Sequence, residues 1–155
     1  MQARTPHPSR RPSACPGLWR IVSALDGGIC RVKLPGGLLL ADQAEAVAAA
    51  AERFAGGVIE ATNRGNLQIR GVTEATACPL AACLDDAGLG DVRLDGGPQR
   101  LTLTSPLADC HPDALIDVAA LARAVEAVGL TIVGLPAKTL VAIESGGQWG
   151  LGAAE

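Results

Sequence analysis

One segment of this chain, residues 40–55, has a helical pattern, and segments with the composition of β-strands lie on both sides of it. Its apolar residues recur at intervals of three and four, which predicts an amphipathic helix. Asp42 and Glu45 resemble a capping box at its start, and the glycines at 56–57 supply a stop. A helix between strands limits the possible folds to those in which helices pack on a sheet.

The remaining segments complete a predicted α+β domain. A hairpin is indicated by Asp26-Gly27-Gly28 between two apolar runs. Strands are predicted at 18–25, 29–34, 58–62, 67–72, 100–105 and 139–145, and further helices at 79–87 and 117–128. This order predicts a mixed sheet with helices on one face.

Composition and charge exclude several classes of protein. The net charge of −3 over 155 residues does not suit a nucleic-acid binder. No apolar run reaches the roughly 18 residues of a membrane span, so we expect no membrane partner and a cytoplasmic location. Residues 1–16 are rich in proline and arginine and lack acidic residues, which predicts a flexible basic tail.

The five cysteines are expected to be reduced. Their number is odd, and their spacing matches no disulfide framework. Cys78 and Cys83 stand five residues apart, which gives no tight metal-binding geometry, and both are predicted to be small core residues.

Cations collect on one face of a predicted strand. In the segment 29–34 the apolar Cys30, Val32 and Leu34 alternate with a polar side that carries Arg31 and Lys33. Such a pair could be the solvated face of an edge strand, or it could hold an anionic ligand.

Two motifs favour the ligand-binding interpretation. RVKLPGG at 31–37 and TNRGNLQ at 62–68 resemble the R-x-[RK]-L-P-G-G and T-x-R-x-x-x-Q motifs of the ferredoxin-like half-domain in nitrite and sulfite reductases. The longer stretches at 14–37, 58–72 and 105–127 resemble precorrin-3B synthases of the same superfamily. The resemblance implies an oxidoreductase of cobalamin biosynthesis that acts on a precorrin-3A-like tetrapyrrole, in a family that uses a 4Fe–4S cluster and a sirohaem-type tetrapyrrole.

The resemblance also implies a set of site residues. Arg31 would face the anionic ligand, Lys33 would lie beside it, and Thr62, Asn63, Arg64 and Gln68 would contact the tetrapyrrole. Arg70 replaces the histidine common in sulfite reductases and argues against sulfite reduction, although it would still hold a carboxylate. The cysteine spacing of the family's cluster ligands, C-x(5)-C and C-x(3)-C, is not found in this sequence.

The predicted organisation has three parts: the tail at 1–16, the half-domain at 17–97, and the truncated start of a cluster or sirohaem-type domain at 98–155. On this interpretation the chain alone is inactive, needs a missing C-terminal half or a partner subunit, and exposes apolar surface. Two alternatives stay open: a fragment of a sirohaem-dependent nitrite or sulfite reductase, and a non-catalytic partner-binding module.

Overall fold

A computed structural model describes residues 15–93, 95–105, 107, 110, 112, 114–145 and 151 of the chain. The predicted tail therefore lies almost entirely outside the described residues. The elements, in chain order, are β1 (Val22–Ala24), β2 (Gly27–Val32), α1 (Ala41–Phe54), β3 (Val58–Ala61), β4 (Leu67–Val72), α2 (Glu74–Leu84), β5 (Thr102–Thr104), α3 (Val118–Thr131) and β6 (Val141–Ile143). A single 3-10 turn at Pro35–Gly37, the PGG turn, follows β2.

The α+β class is confirmed, and the sheet divides into two. Strands β1 to β4 form an antiparallel sheet in the order β1-β2-β4-β3, while β5 and β6 form a separate parallel pair. In place of the predicted mixed sheet there are thus two sheets, one antiparallel throughout and one parallel, because β5 and β6 pair with each other and not with the first sheet. In the first sheet Arg31 pairs with Gln68, and Gln68 pairs with Glu60 on the other side.

Alternation along β2 and β4 places the main core on one face of the antiparallel sheet. Cys30, Val32 and Ile69 are fully buried there against α1 and α2. The core residues of this unit are Leu18, Cys30, Val32, Leu34, Val47, Ala50, Ala51, Ile69, Val72, Leu80, Ala81, Leu84 and Leu89. Both helices thus lie on one face, as predicted, and the opposite face carries the polar side chains.

Three local predictions about the helices are wrong. Helix α1 begins after Leu40 without the predicted capping box of Asp42 and Glu45. The Gln43 side chain accepts from the Leu40 N–H at 3.2 Å, and the Asp42 carboxylate accepts from the adjacent Gln43 N–H at 2.9 Å from within the first turn. Helix α2 begins at Glu74, five residues before the predicted start, because Thr73 accepts from the Thr76 N–H at 3.3 Å. Pro79 consequently lies inside this helix.

In the second unit, built from β5, α3 and β6, two charged side chains add hydrogen bonds to the β5–β6 pairing and to a small apolar cluster. Arg93 donates to the carbonyls of Gly129 at 2.6 Å and Ile132 at 2.7 Å, which satisfies the C-terminal end of α3. Glu126 accepts from the N–H groups of Leu101 at 3.0 Å and Thr102 at 2.8 Å. Arg93 and α3 lie on opposite sides of the predicted boundary at 97/98, and that boundary stays a prediction.

Apolar side chains of this second unit are exposed, as expected. They are Leu115, Leu121, Val128, Leu130, Ile132, Val133 and Leu140. Among the described residues, no helix has the length and apolar character needed to cross a membrane.

Candidate anion-binding site

Three of the predicted site residues share the sheet face that lies opposite the helices. Arg31 is paired in register with Gln68, and Ile29 with Arg70, so Arg31, Gln68 and Arg70 alternate with the buried residues of β2 and β4. The prediction that one face of β2 presents Arg31 and Lys33 agrees with the burial of Cys30, Val32 and Leu34.

Hydrogen bonds connect the polar side chains across this face. Arg31 donates through Nε to the side-chain oxygen of Gln68 at 3.1 Å, and Gln68 donates to Glu60 at 3.2 Å. Arg70 donates to Glu60 at 3.2 Å and binds both oxygens of Asp26 at 2.7 Å each. The charge of Arg70 is therefore balanced by two carboxylates, whereas Arg31 meets a neutral amide.

The ion pair between Arg70 and Asp26 changes the proton affinity of both groups. The hydrogen bonds from the guanidinium lower the pKa of Asp26 from its ordinary value, and the carboxylates raise the pKa of Arg70. Both side chains stay charged through the neutral range.

A cleft of about 250 Å³ lies beyond the end of β2 and concentrates positive charge. The cations that line this cationic cleft are Arg20, Arg31, Lys33, Arg64, Arg100 and Lys138. Among the described residues of its lining, Asp91 is the single acid. Of the predicted site residues, the cleft brings together Arg31, Lys33 and Arg64.

The turn between β3 and β4, residues 62–66, separates this cleft from a larger space. Thr62 closes the turn: its N–H donates to the Asn66 carbonyl at 2.9 Å, and its hydroxyl accepts from the Asn66 N–H at 3.1 Å. Arg64 and Asn66 line the cationic cleft, whereas Thr62 and Asn63 line the larger space. The side-chain oxygen of Asn66 is buried and has no partner among the described residues.

The larger space, here called the α3 cavity, has a volume of about 700 Å³ and a mostly apolar lining. It lies between the PGG turn, the turn at 62–66, β5 and α3. Its volume is within the range of small-molecule and cofactor sites. The predicted site residues are therefore divided between two neighbouring spaces, with Gln68 and Arg70 on the sheet face outside both linings.

Arg100 belongs to the site but was missed by the sequence reasoning. Its guanidinium donates to the carbonyl of Thr102 at 2.7 Å and to the carbonyl of Arg64, and it borders both the cleft and the cavity. Burial lowers its pKa, while Glu126 acts in the opposite direction. In the sequence Arg100 looks like the first residue of a strand, and only its position relative to the two motifs reveals its role.

Lys33 and Asp91 both line the cleft, and the charge of each affects the pKa of the other. Burial lowers the pKa of Lys33, and burial raises the pKa of Asp91. Asp91 lies between the predicted helix at 79–87 and the predicted strand at 100–105, where the sequence indicates no regular element, so this residue was also missed.

The described cysteines do not form a metal site. No group of three or more histidine, cysteine or acidic residues that could hold a metal is present within the described part of the chain. Burial raises the pKa of Cys30 to about 12. Cys83 packs against the core as predicted, but Cys78 is exposed, because α2 turns that residue toward solvent.

Comparison with known proteins identifies relatives that are similar to this chain in sequence. Residues 24–87 match the nitrite/sulfite reductase ferredoxin-like half domain. The chain is 38% identical over 149 residues to a precorrin-3B synthase of Sinorhizobium sp, covering 94% of this chain and 31% of that protein. It is 31% identical over 97 residues to a ferredoxin–nitrite reductase of Leptolyngbya laminosa, covering 62% of this chain and 19% of that protein. The chain thus spans less than a third of the length of these relatives.

Proposed function

We propose that this chain, whose residues 24–87 match the nitrite/sulfite reductase ferredoxin-like half domain, binds the carboxylates of a tetrapyrrole as part of a precorrin-3B synthase-like oxidoreductase of cobalamin biosynthesis. The observation that carries the proposal is the cationic cleft, in which six cations surround a space with one acidic residue among those described. The share of the chain that is similar to a precorrin-3B synthase supports the choice of substrate class.

The chemistry of the ligand matches the chemistry of the cleft. A precorrin-type macrocycle carries several carboxylates around a large, mostly apolar ring. Guanidinium groups bind carboxylates with two parallel hydrogen bonds, and lysine supplies a compact charge. Partial burial of Lys33 strengthens its attraction for an anion, because less water screens the charge.

We assign roles to the predicted residues on this basis. Arg31, Lys33 and Arg64 hold carboxylates in the cleft, and Gln68 fixes the guanidinium of Arg31 through its side-chain oxygen. Thr62 and Asn63 stand at the α3 cavity, where an apolar ring body could lie. Arg70 is already bound to Asp26 and Glu60, so it would hold a carboxylate only after releasing these partners.

The two cofactors of the resembled family differ in how they fit these residues. A sirohaem-type tetrapyrrole carries the same carboxylates as the proposed substrate, and the cleft suits it for the same reason. A 4Fe–4S cluster needs thiolate ligands in one place, and the described cysteines do not provide such a set. The contribution proposed for this chain is to bind and orient the macrocycle.

A fragment of a sirohaem-dependent nitrite reductase is the second candidate. The identity with the ferredoxin–nitrite reductase favours it, and the same cleft would then hold sirohaem. In both cases the chain alone is proposed to bind without catalysing the reaction, as a ligand-binding part of a longer or multi-subunit enzyme. A partner-binding module without a ligand is the third possibility, and the experiment below separates it from the other two.

The test is a titration with uroporphyrin III, an octacarboxylate whose fluorescence reports binding. We expect saturable binding that weakens as salt is raised from about 0.05 to 0.5 M, because screening acts on charge pairs. The variant Arg64→Gln should bind about tenfold more weakly, which corresponds to the loss of one charge-assisted contact. The control variant Arg53→Gln loses the same charge from α1, on the other face of the sheet, and should bind like the original protein.

Sirohaem, titrated in parallel, ranks the two candidates. Tighter binding of uroporphyrin III than of sirohaem favours the precorrin-type substrate, and the reverse order favours the reductase. No binding of either compound by the folded protein would overturn the ligand-binding proposal and leave the partner-binding module.

A further inference from the structure

The cationic cleft contains a carboxylate at a position where it opposes anion binding. Asp91 follows the wide turn at Asp85–Leu89 and lines the cleft together with Lys33. Among the described residues, no hydrogen bond or ion pair within 4.0 Å ties this carboxylate to a cation. Within the described part of the chain the carboxylate therefore has no ion-pair partner, and it acts on the cleft through its charge.

We propose that Asp91 sets the anion affinity of the cationic cleft: its carboxylate weakens anion binding near neutral pH, and its protonation strengthens it. This inference rests on the proposed function, because it specifies how the same cleft is regulated. Asp91 is a tuning residue that changes the potential at the ligand position; it is not assigned a contact with the ligand.

The groups around Asp91 determine the direction of the effect. Lys33 faces it from the end of β2, and Asp85 faces it from the wide turn. The buried thiol of Cys30 also lies within electrostatic range, and Cys15 and Arg31 act on Lys33 from the same cleft. Burial raises the pKa of Asp91, and the negative charge of Asp85 raises it further against the opposing effect of Lys33. Protonation therefore begins at a higher pH than for a solvated aspartate, and each step of acidification removes negative charge from the cleft.

The neighbouring groups do not reverse this direction. The thiol of Cys30, with a pKa raised to about 12, stays neutral below that pH. Burial lowers the pKa of Lys33 and the Asp91 carboxylate raises it, so Asp91→Asn lowers the pKa of Lys33 further. Lys33 still gains charge as the pH falls in both proteins. Once Asp91 is protonated the two proteins carry the same charges, so convergence of their affinities in acid identifies the carboxylate as the source of the difference.

The experiment uses 1,3,6,8-pyrenetetrasulfonate as the fluorescent ligand, because its four charges do not change with pH. Its dissociation constant is measured by fluorescence anisotropy between pH 4 and pH 7.5 for the original chain, for Asp91→Asn and for Asp86→Asn. Asparagine keeps the shape of the side chain and has no charge, as the protonated acid has none. Asp86 is an exposed acid five residues away that does not line the cleft, and it controls for the change in net charge.

At pH 7.5 we expect Asp91→Asn to bind about fivefold more tightly than the original chain, while Asp86→Asn binds within about twofold of it. As the pH falls, the affinity of the original chain should approach that of Asp91→Asn. His7 and His111 are present in all three proteins, so they cannot produce a difference between them.

The remaining outcomes would contradict either the role of Asp91 or the anion site itself. Equal affinities and parallel pH curves for the original chain and Asp91→Asn would overturn the role of Asp91 and leave the anion site intact. Weaker binding by Asp91→Asn would show that the carboxylate supports the site, contrary to the proposal. Absence of binding by all three folded proteins at every pH would overturn the anion site itself, and the role of Asp91 with it.

Discussion

The guanidinium of Arg100 donates a hydrogen bond to the backbone carbonyl of Arg64, and so connects the second unit of the chain to the turn that carries the predicted site residues. The guanidinium lies close to two glycines, Gly65 and Gly37. A Cβ atom at Gly65 would lie 3.1 Å from Nη1, and one at Gly37 would lie 3.3 Å from Nη2. The glycines of both motifs thus leave room for one buried side chain.

Replacing Arg100 should destabilise the fold and disturb the cleft together. Arg100→Leu removes the donors to the carbonyls of Thr102 and Arg64, and buried carbonyls without partners are costly. We expect the free energy of unfolding to fall by about 2 kcal/mol, measured by urea denaturation, with a clear loss of uroporphyrin III binding. Unchanged stability would contradict the connecting role of Arg100.

The variant Gly65→Ala tests the same contact by changing the residue against which the Arg100 guanidinium packs. Gly65 has φ +61°, and its Cβ would press on Arg100. Gly57 provides the matched control, because its φ is +73° but nothing lies within 4 Å of the added Cβ. Both alanine variants should lose about 1 kcal/mol from the left-handed backbone, and Gly65→Ala should lose more.

The excess loss at Gly65 should depend on Arg100. In the Arg100→Leu background, the difference in unfolding free energy between the Gly65→Ala and Gly57→Ala variants should shrink. If the difference stays the same size, the crowding does not come from the guanidinium.

Glu126 should stabilise the start of β5 through its carboxylate. It accepts from the N–H groups of Leu101 and Thr102 and from the Thr102 hydroxyl at 2.6 Å. Glu126→Ala leaves these donors without an acceptor, and we expect a loss of about 2 kcal/mol in unfolding free energy. Glu52→Ala, which removes an exposed acid from α1, should change stability by less than about 0.5 kcal/mol. Equal effects of the two substitutions would argue against the role of Glu126.

The pair formed by Arg93 and Asp95 should make stability fall in acid. Hydrogen bonds from Arg93 lower the pKa of Asp95 in the folded state, with a further contribution from the Gly97 N–H. A lowered folded-state pKa gives stability that is complete well above the ordinary value of 3.8 and is lost as the pH falls below that value. Asp95→Asn should therefore be less stable at pH 7 but show a shallower decline between pH 4 and pH 2, followed by thermal unfolding. Parallel declines of the two proteins would contradict the linkage.

The sequence predicted those parts of the fold that local patterns determine. The strands around residues 29–34 and 67–72 and the helix capped at Asp117 agree with the structure, because alternation and a side-chain cap are readable from neighbouring residues. The start of α2 was missed because Thr73 and Thr76 cap it as two threonines, without the usual glutamate or glutamine, and because Pro79 suggested a first turn.

The candidate site was predictable where strand alternation or a motif marked it. Alternation and motif resemblance both indicated Arg31 and Lys33, motif resemblance indicated Arg64, and the structure brings these three into one cleft. Arg100 and Asp91 lie in segments without a motif, and they reach the cleft through tertiary packing that no local pattern reports. Asp26, an acidic partner of Arg70, was equally hidden, since it is 44 residues away in sequence.

The turn at residues 62–66 forms the common wall of the cationic cleft and the α3 cavity, with Arg64 on one side and Asn63 on the other. If a ligand displaced this wall, one space would grow at the expense of the other. Ligands in the two spaces would then be thermodynamically linked, each changing the affinity for the other by the same factor. A single rigid molecule that fills both spaces would hold the turn in one position. Two small ligands, one in each space, would change each other's affinity through the five residues of the turn.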